Sequence, residues 1–138
     1  MPKKVKAVGG MDITPEKVGA WAFIIGVAIA IIAGLFGTSL GMINPATGAL
    51  EKNAVLVLGL LGVIVGILNV TDREVGLFLI AAIALLVAAG GVSVLLSEIP
   101  SFGVLLQQVL KCAIVFVAPG AAIVAIKALW DISRARYA

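Results

Sequence analysis

The chain has 138 residues, 62% of them hydrophobic and 12% charged, with a mean hydropathy of +1.24. A soluble domain carries about 25% charged residues, so this composition excludes an ordinary water-facing globule and points to a chain held largely in a bilayer. The net charge of +3 arises from basic residues that flank apolar runs, with no basic stripe interleaved with aromatics, and nucleic acid is therefore not an expected partner.

Residues 1–13 form a basic tail containing Lys3, Lys4 and Lys6, and its Pro2 and Gly9-Gly10 favour flexibility. Thr14-Pro15-Glu16 then carries helix-start chemistry: a capping hydroxyl, a proline at the first helical position and an acid in the first turn. The first span is predicted over 18–36 and expected to stay attached, because the apolar run is too long for a signal-peptide core. Ala22, Gly26, Ala30 and Gly34 recur every four residues along it and give a face that another helix can approach closely. Packing within the chain and packing between subunits use the same physics, and the stripe serves either.

Residues 37–53 form the longest connection. Asn44-Pro45-Ala46-Thr47-Gly48 predicts a turn there, within a short β-hairpin or compact loop, with Asn53 as a cap for the next helix. Two apolar segments follow, predicted as spans over 54–70 and 75–96, around the polar break Asn69-Val70-Thr71-Asp72-Arg73-Glu74. Thr71 and Glu74 fit a capping box, and the whole reads as a tight transmembrane hairpin. Gly59, Gly62 and Gly66 on the second span, and Ala84, Ala88 and Gly91 on the third, are further candidate helix-packing residues.

Ser97-Glu98-Ile99-Pro100 ends the third helix. The following thirty residues, if wholly helical, would extend for about 45 Å, more than a hydrocarbon core requires. An amphipathic segment over 101–110 and a separate span over 112–130, kinked at Pro119-Gly120, are therefore expected. Gln107, Gln108 and Lys111 are the polar groups nearest the membrane interior. They read either as an interfacial segment with Lys111 snorkelling to lipid headgroups, or as the lining of a polar path. Residues 131–138 form a second basic tail.

The expected fold is thus an all-α integral membrane protein: four transmembrane helices in an up-down bundle, with the membrane domain over 14–130. Lys3, Lys4, Lys6, Lys17, Arg73, Lys127, Arg134 and Arg136 fall on one side, with Lys52 on the other and Lys111 at its margin. A multi-pass location in the cell membrane with both termini cytoplasmic follows. The chain has no histidine, and Cys112 is its one cysteine, so there is no disulfide partner within it. No cofactor, metal site or catalytic group is expected, since Ser93, Thr38 and Ser39 have no base nearby in the sequence.

The segment from Gly62 to Leu86, GVIVGILNVTDREVGLFLIAAIALL, resembles small multispan membrane proteins of archaea to which no activity is attached, and the resemblance implies only a helical membrane fold. Function is expected to be noncatalytic: a structural, scaffold or assembly-forming membrane protein, in contact with lipids and homo-oligomeric through its small-residue faces. The alternatives are a small oligomeric channel or facilitator with a path near Gln107, Gln108 and Lys111, and an accessory subunit of a larger membrane complex.

Overall fold

The computed structural model describes residues 5–6, 12–13, 15–68 and 75–136. Two short strands, β1 (Val5–Lys6) and β2 (Asp12–Ile13), pair antiparallel with Val5 opposite Ile13. Four helices carry the rest: α1 (Pro15–Phe36), α2 (Lys52–Leu68), α3 (Val75–Ser97) and α4 (Phe102–Arg136). The Thr14 cap and the capping box of Thr71 and Glu74 lie outside the described residues. α3 and α4 are long and apolar enough to cross a membrane, while the apolar stretches of α1 and α2, Trp21–Phe36 and Lys52–Leu68, are shorter.

The bundle is built around α4. α1, α2 and α3 each pack on it, and α1 also packs on α2. The expectation of a tight hairpin between the second and third helices is corrected here, because α2 and α3 make no comparable interface with each other and both turn to α4. The reason is local. Gly62 and Gly66 match the backbone of α4 at Phe116 and Gly120, so α2 gains its closest contacts there. α3 buries Ala82, Ala89 and Leu96, which share one face at seven-residue spacing.

Contact pairs fix the helix directions. Gly26 and Gly34 of α1 lie against Phe116 and Val109, so α1 runs antiparallel to α4. Gly62 and Gly66 lie against Phe116 and Gly120 in ascending order, so α2 runs parallel to it. Gly103 beside Leu96, and Gln107 beside Ser93, make α3 antiparallel again. The order is that of an up-down bundle.

α4 corrects a second expectation. Residues 101–110 and 112–130 are not separated: α4 is one helix of 35 residues that continues through Pro119 and into the basic tail. At 1.5 Å per residue it is about 52 Å long. Two polar residues in its first three turns find backbone acceptors on neighbouring segments. The Gln107 amide nitrogen donates to the Ser93 carbonyl oxygen at 2.8 Å, and the Lys111 ammonium donates to that of Gly48 at 3.1 Å.

The core joins Ala30, Ala33, Ile43, Leu58, Val65, Ala82, Cys112, Phe116 and Val117. Phe116 is its largest fully buried side chain, and its ring lies 6.2 Å from that of Phe23, which in turn meets Phe78 edge-on at 5.7 Å. One core member, Ile43, comes from the loop between α1 and α2. That loop has the turn expected at Asn44 to Gly48: the Asn44 side-chain oxygen accepts from the Ala46 amide at 2.9 Å, and the Gly48 amide donates to the Asn44 carbonyl at 2.8 Å. Ile43 and Leu50 face each other in an isolated antiparallel bridge. Gly41 and Gly48 take φ of +69° and +65°, where a side chain would be strained.

Candidate functional site

The small-residue faces divide into two sets. On α1, Gly26, Ala30 and Gly34 are buried against α4, with Ala22 half-buried beside them. A Cβ on Gly34 would meet the backbone of Val109, whose nitrogen lies 2.8 Å from that position. On α2, a Cβ on Gly66 would stand 2.7 Å from the Gly120 carbonyl oxygen, and one on Gly62 would collide with that of Phe116. These contacts hold helices at backbone distance, where dispersion between main chains replaces side-chain interdigitation. Gly59 differs: nothing lies within 4 Å of where its Cβ would sit. On α3, Ala84, Ala88 and Gly91 are exposed on the side away from the buried Ala82 and Ala89.

The polar residues gather elsewhere. Between α3 and α4 runs a laterally open groove of about 570 Å³, within the roughly 300–1,000 Å³ range of small-molecule sites. Small residues on α3 create it: Ala89, Gly90, Ser93 and Ser97 leave a furrow that Leu110, Lys111 and Ile114 of α4 flank. Its hydroxyls are turned back onto their own helix, Ser93 donating to the Gly90 carbonyl at 2.8 Å and Ser97 to that of Val94 at 2.6 Å, a local bonding habit of serine in apolar helices. Gln107 and Lys111 line the groove; Gln108, one residue and about 100° round the helix, does not. The three side chains expected to act together are therefore split.

The Gln107 bond to Ser93 ties α3 to α4. Gln107→Leu is expected to cost about 1 kcal/mol, the net scale of an intramolecular hydrogen bond. Reversible unfolding in mixed micelles would check it, and an unchanged midpoint would count against the contact.

Two participants carry no motif in the sequence. Phe116 is one aromatic among aliphatics, and nothing in its spacing marks it as the residue that α1 and α2 close upon. Gly120 stands beside Pro119 and reads as part of a kink, although its partner is the pair Gly62 and Gly66. Four-residue spacing of Phe116 and Gly120, matching that of Gly62 and Gly66, is the one signal available. Compared with protein-family models, with curated proteins and with solved structures, the chain finds no match.

Proposed function

We propose that this is a noncatalytic four-span membrane protein, with both termini cytoplasmic, that works by assembling with copies of itself through the outward face of α3. The observation that carries the proposal is the division of small-residue faces: that of α1, and Gly62 and Gly66 of α2, are occupied by α4, and Ala84, Ala88 and Gly91 on α3 are left facing outward. Small residues on a lipid-facing surface give up side-chain contact with acyl chains and permit a second helix to come close.

Support for four spans comes from register. α1 has 22 residues and α2 has 17, about 33 Å and 25 Å respectively. Both lie beside the apolar middle of α4, around Val109 to Gly120, so a bilayer that holds this part of α4 also holds them. Large apolar side chains point outward on every helix, Ile25, Leu60, Leu77 and Ile126 among them, as a lipid-solvated bundle requires. A conducting path through Gln107, Gln108 and Lys111 draws no support from a groove that opens sideways and leaves out Gln108.

Crosslinking in native membranes, with light scattering after extraction in mild detergent, tests the reading. The wild-type chain is expected as a discrete oligomer, and the double variant Ala88→Leu, Gly91→Leu as a monomer of unchanged helix content. Gly91 has nothing within 4 Å of a new Cβ, so the fold accepts the change. A monodisperse wild-type monomer would sink the proposal.

A further inference from the structure

We infer that the groove between α3 and α4 is a binding site for one anionic membrane lipid, its acyl chain lying along the furrow and its phosphate meeting Lys111. The inference rests on the membrane placement proposed above and is independent of assembly through α3. Polarity along the groove is graded. Leu86, Ala89 and Ile114 line one end and Ser93, Ser97 and Gln107 the other, with Leu110 and Lys111 between them and the Lys111 ammonium reaching to the Gly48 carbonyl of the α1–α2 loop. That other end lies beside the α1–α2 loop and the α3–α4 turn, opposite the start of α1 and the end of α4. From Leu86 to Ser97 the furrow extends about 16 Å, roughly half a hydrocarbon core of about 30 Å, which is the reach of one leaflet. An amphipathic molecule whose apolar part spans one leaflet is what this profile fits.

Charge decides which headgroup. Among the described residues that line the groove, Lys111 alone is charged and none is a carboxylate. The ammonium has three donors; one is directed to the Gly48 carbonyl, which fixes the group at the lip and leaves two for a ligand. The Gln107 amide spends one N–H on Ser93 and retains its second. These donors suit phosphate oxygens. Gly90 supplies the open floor, since nothing lies within 4 Å of where its Cβ would be. The groove and the face of Ala84, Ala88 and Gly91 are on opposite sides of α3, so the two can be tested apart.

The experiment is native mass spectrometry of the full chain released from mixed vesicles of dioleoyl phosphatidylglycerol and dioleoyl phosphatidylcholine. The wild type is expected to retain one phosphatidylglycerol, with a preference of about fivefold over phosphatidylcholine, the effect of one lysine beside an anionic surface. Lys111→Gln is expected to abolish the preference while still retaining a lipid, and Gly90→Leu, which fills the furrow without a clash, to lose retention altogether. Equal retention of both lipids by the wild type would overturn the inference, as would unchanged behaviour of both variants. Binding of glycerol phosphate, which has no acyl chain, at the same strength would overturn it in favour of a soluble phosphate site. A Gly90→Leu variant that changes the oligomeric state would overturn it in favour of a second copy seated in the groove. Carbonate extraction run in parallel separates the two levels. A chain stripped from the membrane would refute the membrane placement, whereas an inserted chain without lipid preference refutes the groove alone.

Discussion

Gly62→Ala is expected to lower the stability of the bundle by about 3 kcal/mol, the upper part of the overpacking range. One methyl group has this effect because the atom it meets is the Phe116 carbonyl oxygen of α4, with the Pro119 ring 3.1 Å away on the other side. Neither is the end of a flexible side chain. Main chain must move, and α2 must lift from α4 along its length, pulling Gly66 away from the Gly120 main chain that leaves it no room for a Cβ. Gly59→Ala is the control: three residues earlier on the same helix, with open space at its Cβ, it is expected to be neutral or to gain about 0.5 kcal/mol from helix propensity. Unfolding by sodium dodecyl sulfate titration, followed by circular dichroism, reads both. Equal effects at the two glycines would show that the α2–α4 contact is not as close as described.

Phe116→Ala is expected to cost about 2–3 kcal/mol. In water a buried phenylalanine reduced to alanine typically loses about 3–5 kcal/mol, part of it transfer energy and part the cavity left behind. With the membrane placement proposed above, the unfolded reference is already apolar, so the transfer part falls away and the lost packing remains. That packing is substantial here. The ring fills the space left by Gly26 on α1 and packs near Phe23. Phe116→Leu, which restores most of the volume, is expected to recover more than half of the loss, as measured in the same titration. A cost below about 1 kcal/mol for alanine would mean that the helices close over the space, as sites that collapse well do.

The elements were legible because apolar runs and their punctuation are local. Predicted spans over 18–36, 54–70 and 75–96 correspond to α1, α2 and α3 to within a few residues, and Pro100 marks the end of α3 as expected. The turn at Asn44 to Gly48 was also legible, since asparagine, proline and glycine each impose their own backbone preference. Partner choice was not. A glycine pair such as Gly62 and Gly66 says that a face can be approached closely, and gives no address for what approaches. On α3 both Ala82 with Ala89 and Ala84 with Ala88 are small, and a helix apolar on all sides has no inward direction written in its composition. Only the complementary shape of α4, three-dimensional by nature, chooses between them. Gln107 and Lys111 are a middle case. Their polarity and position marked them as unusual, yet the acceptors they use, the carbonyls of Ser93 and Gly48, are backbone atoms that every residue possesses and no pattern can flag.

The central position of α4 also bears on how the protein is made. Chains are synthesised from the N-terminus, and each segment is available to fold before the next emerges. Here the helix that the other three share is the last to appear. Until it forms, Gly34, Gly62 and Gly66 have no backbone to close upon, Gly26 has no Phe116 ring against it, and α3 lacks its main packing partner. Before that, α1 and α2 have only their smaller mutual interface and α3 is without its main partner, a state open to chaperones and quality control. Arrival of α4 joins the α1–α2 pair and α3 into one packed structure.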